Sequence, residues 1–475
     1  MGAGGRGSGG RGDRLVVPLL AFLGVMAYAL SMAVVTPALP LIQEGLDTTP
    51  GGAAWALTAM TLSAAVGTPV IGRLGDLYGP RRVLLVVLAV ALAGMVVAAL
   101  ATSLPVMLAG RALAGVGGGV FPLAYTIIRD VYPPHRTASA VGLMSSMLGL
   151  GGALSWVIAG PVIDWFGWRW LLWVPVAGLL PGTLLAWWIV PKSAGRPAAR
   201  IDWWGAVLFA AWLVGGLTAL TQAPQWGWAD PAVLGLLAAA AVLAAAWLVV
   251  ESRVAEPLVD LRVMRGRGVW TANVASMLSG YALMAGGILF PLLVQLPADT
   301  GFGFGGSATE AALLQLPASV GMTVAGFTAG MLDVRIGSRT VLLAGSVLTL
   351  LGYGYVAFAH SQMWQLYVGG VARGIGLGLA YAAVANLVVA AVPPGQTGVA
   401  TGVNTLIRTV GASLGTQASA AIVAASAPVA GGTPSEGGFT AGFTVAAAVM
   451  AAAIVLALIA PSRRPGPAGR PPDLL

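Results

Sequence analysis

The stretch that decides the fold reads Gly72-Arg-Leu-Gly-Asp76-Leu-Tyr-Gly79-Pro-Arg81-Arg82 and lies between two long apolar runs. A related stretch, Gly330-Met-Leu-Asp-Val-Arg-Ile-Gly337-Ser-Arg339, follows a later apolar run. Four positions match at a constant offset of 258 residues: Gly72, Leu74, Gly79 and Arg81 with Gly330, Leu332, Gly337 and Arg339. The chain therefore contains two related halves, and each half has a short charged turn between apolar segments.

The composition excludes a soluble globular protein. Of the 475 residues, 58% are hydrophobic and 8% are charged, whereas soluble domains carry roughly 25% charged residues. So few charges cannot cover the surface of a soluble chain, so we expect lipid to be the solvent. The net charge of +8 is scattered through short loops, which argues against nucleic acid as a partner.

Neither a metal site nor a cofactor is expected. The chain has no cysteine, and its two histidines, His135 and His360, are far apart and fall in predicted loops. We expect both histidines to be solvated. The sequence also lacks the spacing of a phosphate-binding loop and a nucleophile motif, so we expect a protein that is not an enzyme.

Fourteen apolar segments are long enough to cross a bilayer core of about 30 Å, which takes roughly 20 residues of helix. The runs are continuous and do not alternate, which favours helices over barrel strands. We predict an all-α polytopic membrane protein with fourteen transmembrane helices. They lie near residues 15–39, 53–72, 83–103, 105–128, 137–163, 168–190, 201–222, 231–250, 268–296, 308–331, 340–360, 362–391, 396–424 and 438–460.

The charges predict the orientation. With the N-terminus in the cytoplasm, 20 of the 24 lysines and arginines fall in cytoplasmic loops and tails, as the positive-inside rule requires. We expect a multi-pass protein of the cell membrane, monomeric, with both termini cytoplasmic. Its predicted parts are a disordered tail at 1–14, a six-helix bundle at 15–190, two inserted helices at 201–250, a second six-helix bundle at 268–460 and a tail at 461–475.

The motif around Asp76 resembles the loop between helices 2 and 3 of the major facilitator superfamily, and the run from Leu108 to Gly119 resembles the helix-4 motif of that family. The fourteen segments and the Asp202-Trp-Trp-Gly205 stretch resemble its drug:proton antiporter branch. The resemblance implies a transporter with a small-molecule substrate. It also implies a gating role at one membrane face for Gly72, Asp76, Gly79, Arg81, Arg82, Gly330, Gly337 and Arg339, where Asp76 and the arginines form a charge network that breaks when the halves rock.

The intramembrane charges depart from that branch. The branch commonly carries an aspartate in helix 1, but the matching position here is Ser31. None of the sixteen acidic residues falls in the middle of a predicted span, whereas Arg111, Arg373 and Arg408 do lie within spans. A buried arginine is costly and is by default a functional candidate. We therefore expect a neutral to positive cavity, although Arg373 and Arg408 could instead bind backbone carbonyls or pack between helices.

In the family, the first and fourth helices of each half face the cavity. Together with Arg408, the resemblance points to these cavity residues: Tyr28, Ser31, Met32, Arg111, Tyr125, Asn273, Tyr281 and Asn386. Each of them could instead be a packing residue.

The sequence therefore predicts a secondary active transporter that exports drug-like or secondary-metabolite amphiphiles by alternating access, driven by the proton gradient. An uncoupled facilitator of neutral or anionic compounds is the alternative, because the helix-1 acid is missing. A receptor that does not transport is a further alternative, but it would be expected to carry a soluble domain or a long structured loop.

Overall fold

The computed structural model describes residues 16, 19–20, 29–33, 35, 38–191, 202–254, 257–393, 395–427 and 433–461. The predicted tail at 1–14, nearly all of the tail at 461–475, Tyr28 and most of the first predicted span lie outside the described residues. The described part is helical and contains no strand. Its helices are α1 (Ser31–Ala33), α2 (Leu39–Gly45), α3 (Pro50–Tyr78), α4 (Pro80–Ala99), α5 (Leu104–Gly115), α6 (Val120–Val131), α7 (Pro134–Phe166), α8 (Trp168–Ile189), α9 (Trp203–Trp226), α10 (Pro231–Arg253), α11 (Leu261–Met264), α12 (Arg267–Gln295), α13 (Ala308–Ile336), α14 (Ser338–Phe358), α15 (Met363–Ala391), α16 (Thr397–Ala425) and α17 (Glu436–Ile459).

Twelve spans of the described residues are long and apolar enough to cross a membrane. They coincide with the second to twelfth and the fourteenth of the predicted spans. The thirteenth prediction corresponds to α16, which has 29 residues and carries Arg408 but is not among the twelve. The all-helical membrane fold is therefore confirmed, and the number fourteen stays a prediction.

The span predicted near residues 105–128 is a helix with a tightened turn at its centre. α5 ends at Gly115, a 3₁₀ turn runs over Val116–Gly119, and α6 continues to Val131. Three successive glycines occupy that turn. Glycine is about 1 kcal/mol per residue less favourable than alanine in a helix interior, so the regular α-helical hydrogen bonding gives way there.

The two related turns have the same backbone geometry. α3 ends at Gly79, which has a φ of 93°, and α13 ends at Gly337, which has a φ of 82°. Residues with a side chain rarely adopt such positive φ values, whereas glycine does so freely. In both halves the next helix starts at once, at Pro80 and at Ser338, so the motif makes a sharp reversal between consecutive helices.

The helices pack as two groups joined by a hairpin. The first group comprises α3 to α8 and the second α12 to α17, and each encloses its own buried apolar core. The groups, here called the first and second bundles, meet where α3 contacts α16 and where α7 contacts α13. The hairpin of α9 and α10 packs on α3 and α16 through Phe209, Leu213 and Trp247. We call the end of the molecule that holds Gly79, Gly337 and Thr397 the basic end.

The prediction that His360 is solvated is wrong. Its side chain is 6% exposed and lies between the end of α14 and the start of α17. Nδ1 is 2.8 Å from the carbonyl oxygen of Val356, and Nε2 is 3.2 Å from a carboxylate oxygen of Glu436. The loop folds back onto the helix ends, which a sequence pattern does not reveal.

Candidate functional site

Asp76 reaches from the first bundle to the second at the basic end. It lies in the last turn of α3, and its side chain is 6% exposed. Oδ1 accepts the backbone N–H of Gly398 at 3.1 Å, and Oδ2 accepts that of Val399 at 3.0 Å. These groups are among the first four N–H groups of α16, which have no partner inside the helix. A carboxylate satisfies both donors, and its charge is favoured at a helix N-terminus.

Arg129 of the first bundle binds the connection between α15 and α16 in the second bundle. It lies in the last turn of α6. Nη1 donates to Oγ1 of Thr397 at 2.6 Å, and Nη2 donates to the carbonyl of Val392 at 3.0 Å. Val392 follows the last residue of α15, so Asp76 and Arg129 together bind both ends of the connection between α15 and α16. We call Asp76, Arg129 and these four partners the latch.

The arginines of the two motifs bind within their own bundles. Arg81 donates to the carbonyl of Trp187, and Arg339 donates to the carbonyl of Leu458 at 2.7 Å. Both acceptors lie in the last turns of the final helix of the same bundle, and Arg82 is exposed. A charge network that joins Asp76 to these arginines stays a prediction. Among the described contacts of these side chains, Asp76 crosses between the bundles, whereas Arg81 and Arg339 do not.

Gly72 and Gly330 mark the closest approaches between the bundles. A Cβ atom on Gly72 would lie 2.3 Å from the carbonyl oxygen of Gly398, and one on Gly330 would lie 2.4 Å from Cα of Ser139. Such distances exclude any side chain unless the backbone shifts. The motif glycines thus let α3 approach α16, and α13 approach α7, as small residues do at helix contacts in membranes.

Two predicted cavity residues, Tyr125 and Arg408, come together from different bundles. The guanidinium of Arg408 lies 5.0 Å from the ring centre of Tyr381, and its charge acts on the buried Tyr125. The Tyr125 hydroxyl is 3.1 Å from Oγ of Ser145. The sequence analysis did not single out Tyr381. A cation held over an aromatic face between the two bundles can bind an anionic or polar group of a ligand.

Asn273 belongs to a buried amide cluster between α12 and α16. Nδ2 of Asn404 donates to Oδ1 of Asn273 at 2.9 Å, and the Ser276 hydroxyl donates to Oδ1 of Asn404 at 3.3 Å. Asn404 was missed by sequence reasoning. Asn386 instead crosses the bundle interface and donates to the carbonyl of Ala138 at 3.4 Å. Tyr281 is half-buried, and its backbone lies against Gly415 of α16.

Arg111 and Ser31 meet inside the first bundle. The Arg111 side chain has 0% exposure, Nε donates to the carbonyl of Ala56 at 2.9 Å, and Nη1 donates to the carbonyl of Ser31 at 2.9 Å. Met32 is half-buried, and its sulfur accepts from Thr61 at 3.8 Å. The structure thus shows Arg111 joining three helical segments through their backbones, while contact with a substrate stays a prediction.

Arg373 is similarly placed inside the second bundle. It is 4% exposed, donates to Oε1 of Gln315 at 2.8 Å and lies 5.0 Å from the ring centre of Phe290. Gln315 in turn donates to the carbonyl of Gly286 at 3.2 Å. These contacts agree with the alternative in which Arg373 packs between helices.

The sequence was compared with known families and proteins. Residues 21–416 and 275–474 match the profile of the Major Facilitator Superfamily. An uncharacterized MFS-type transporter of Mycobacterium tuberculosis is 30% identical over 406 residues, which cover 83% of this chain and 57% of that protein. The chain therefore spans little more than half the length of that relative. A cephamycin export protein of Amycolatopsis lactamdurans is 30% identical over 420 residues, which cover 85% of this chain and 83% of the relative.

A solved structure has the same fold. The human organic anion transporter TETRAN superposes with a TM-score of 0.67 and 15% sequence identity. The match covers 94% of this chain and 99% of that one.

Proposed function

The chain belongs to the Major Facilitator Superfamily and is a membrane transporter, and from this premise we propose that it exports drug-like or secondary-metabolite amphiphiles, driven by the proton gradient. The export protein for cephamycin among its relatives supports a metabolite as substrate. We propose alternating access, in which the two bundles rock about a shared central site, as in transporters built from repeats.

The latch is the observation that carries this proposal. Asp76 and Arg129 make four hydrogen bonds from the first bundle to the second, all at the basic end. These bonds can break when the end opens, because each partner can then bind water instead. The described arrangement is then the state closed at the basic end.

Orientation and span number are part of the proposal. The basic loops lie on the side of the latch, so the positive-inside rule places the basic end in the cytoplasm. Counting α16 and the largely undescribed first segment with the twelve apolar spans gives fourteen, with α9 and α10 as the inserted pair. Both termini are then cytoplasmic, and the membrane is the cell membrane.

We propose neutral or anionic substrates because Arg408 lies between the bundles. Among the described acids, Asp76, Asp130, Glu251 and Asp333 lie near the ends of their helices. Arg408, in contrast, is central in α16 and is held over Tyr381. A cationic substrate would be repelled at that position, whereas a carboxylate or a polar oxygen would be attracted.

The test is proton flux in inside-out vesicles with an imposed pH gradient and with anionic, neutral and cationic amphiphiles that share one scaffold. We expect flux with the anionic and neutral compounds. Arg408→Ala should lower transport of the anionic compound about tenfold relative to the neutral one, whereas Arg408→Lys, which keeps the charge, should retain most of it. Transport of the cation alone, unchanged in Arg408→Ala, would overturn the proposed substrate class.

An uncoupled facilitator is the second candidate, because Ser31 occupies the position of the aspartate that the antiporter branch commonly carries in helix 1. The same vesicles separate the two. Equilibration of a compound that does not depend on the pH gradient, with no proton flux, identifies a facilitator. Accumulation against the compound's own gradient identifies a coupled exporter.

A further inference from the structure

Two acidic residues lie at the basic end of the hairpin of α9 and α10. Asp202 is the N-cap of α9, and its Oδ1 accepts the backbone N–H of Gly205 at 2.9 Å. Glu251 lies in the last turn of α10, and its Oε1 accepts the backbone N–H of Val259. Each carboxylate thus uses one oxygen to accept a hydrogen bond from a nearby backbone N–H group.

The remaining oxygen of each carboxylate is buried and has no hydrogen-bond donor. These atoms are Oδ2 of Asp202 and Oε2 of Glu251. A Cβ atom on Gly205 would lie 2.3 Å from the first and 2.8 Å from the second, which places the two oxygens no more than about 5 Å apart. The Glu251 side chain is only 3% exposed. Two unpartnered carboxylate oxygens therefore face each other over a glycine, shielded from water.

Among the described residues, the local charges do not balance if both acids are ionised. Asp202 and Arg73 are the charged groups that act on Glu251, and Arg73 also acts on Asp76 of the latch. The other surfaces packed here are the backbone of the Leu258–Val259 turn and apolar side chains of α3 and α16. Within the described part of the chain, two carboxylates against one shared guanidinium leave an excess negative charge, and like charges in a buried site cannot both ionise without a large penalty.

We propose that Asp202 and Glu251 share one proton and form a proton-binding site at the basic end of the inserted hairpin. The shared proton lies between Oδ2 of Asp202 and Oε2 of Glu251 and gives both oxygens a partner. It is released to the solvent on the basic side when this end opens. The site lies away from the central cavity, which explains how a chain without a mid-span acid can still bind a proton.

Arg73 connects the site to the latch. While Asp202 and Glu251 share their proton, Arg73 interacts mainly with Asp76. This interaction favours the ionised carboxylate of Asp76, which binds α16. When the pair loses the proton, the same arginine is drawn towards two carboxylates. This connection to transport rests on the proposed function, whereas binding of the proton by the pair does not.

Infrared difference spectroscopy of the full-length protein in lipid nanodiscs tests the site, because a protonated carboxyl group has a carbonyl stretch that a carboxylate lacks. We expect one protonated carboxyl at neutral pH in the wild type and its loss in both Glu251→Gln and Asp202→Asn. Asparagine caps helices about as well as aspartate, so Asp202→Asn should keep the fold. Thermal unfolding of each variant verifies this.

Asp230→Asn is the matched control. Asp230 caps α10 in the same way, with Oδ1 accepting the N–H of Ala232 at 2.7 Å, but its turn is exposed and lies at the other end of the hairpin. This variant should leave the band unchanged. A wild type without the band, or a band that persists in both pair variants, would overturn the proton site. A band that behaves as expected in a protein that transports nothing would instead contradict only the proposed function.

Discussion

Asp76 binds the start of α16, and Arg129 binds both ends of the connection between α15 and α16. Both side chains use backbone or hydroxyl groups instead of an ion pair. The partners of Asp76 are N–H groups that α16 cannot satisfy itself. The carboxylate is therefore required as a double acceptor, not only as a charge. Asparagine at this position has one acceptor oxygen, and its NH₂ group would face a donor.

We expect Asp76→Asn to shift the bundles towards opening at the basic end. Loss of one charged hydrogen bond costs about 1.5 kcal/mol, which corresponds to a roughly tenfold rise in the open population. The native chain has no cysteine, so Thr68→Cys is a clean reporter. Thr68 is 2% exposed and lies where α3 crosses Gly402 of α16. Labelling of this cysteine by a maleimide should rise about tenfold in the Asp76→Asn background and stay unchanged with Asp260→Asn, which alters an exposed cap.

Arg111, like Arg129, uses its guanidinium to bind backbone carbonyl groups. Arg111→Ala removes hydrogen bonds to Ser31 and Ala56 and leaves a cavity in the first bundle, at a cost of about 3 kcal/mol. We expect the thermal unfolding midpoint to fall by several degrees. Arg169→Ala provides the comparison, because Arg169 is exposed and its hydrogen bond to the carbonyl of Ala101 is 3.4 Å long. Equal shifts of the unfolding midpoint in the two variants would show that the buried contacts of Arg111 add nothing to the stability of the protein.

At the scale of helices, the places where the chain turns were predictable and the places where it meets distant segments were not. Gly79 and Gly337 are local signals, because a glycine at a fixed distance from the charged residues sets where each helix ends. The partners of Arg129 lie more than 260 residues away in sequence. No local pattern marks that pairing, so Arg129 was counted only as a charge that sets orientation.

Close helix contact at the basic end depends on Gly72. We expect Gly72→Ala to prevent closure between α3 and α16, because its methyl group would overlap the carbonyl of Gly398. Export should fall at least tenfold while the protein is still made and inserted. Gly67→Ala on the same helix is the control, since its Cβ would make only an ordinary contact, at 3.4 Å, with Ile71. A fully active Gly72→Ala variant would mean that the two helices need not approach this closely during transport.

At the scale of the whole molecule, the two halves repeat the same turn but not the same latch. The offset of 258 residues carries Asp76 onto Val334, so the second half has no acid at the position that matches Asp76. The N-cap of α7 is Pro133, which makes no side-chain cap, and this side of the interface includes Gly142, Gly326 and Gly330, each close to glycine or serine atoms of the other bundle. Both contacts between the bundles include close glycine packing, and the contact between α3 and α16 additionally carries the charged side chain of Asp76.

This asymmetry also limits what the sequence could show. The repeat, the helix positions and the glycine turns follow from composition and spacing, because each is encoded within some 30 residues. The latch, the position of Arg408 over Tyr381 and the burial of His360 depend on how separate helices are arranged. At Asp76 the two halves differ already in sequence, because the matching position in the second half is Val334.

The total number of spans depends on whether α16 crosses the membrane. Its central arginine lowers its apolar character, but its 29 residues of helix are about 44 Å long. If α16 crosses the membrane, Gln396 and Thr433 lie on opposite sides. We therefore expect a membrane-impermeant maleimide to label Thr433→Cys in intact cells and to label Gln396→Cys only after permeabilisation. Asp299→Cys and Ser252→Cys, in exposed positions at opposite ends of the apolar spans, calibrate the outer and inner signals. Labelling of Gln396→Cys and Thr433→Cys from the same side would mean that α16 does not span, and would leave the second bundle with an odd number of crossings.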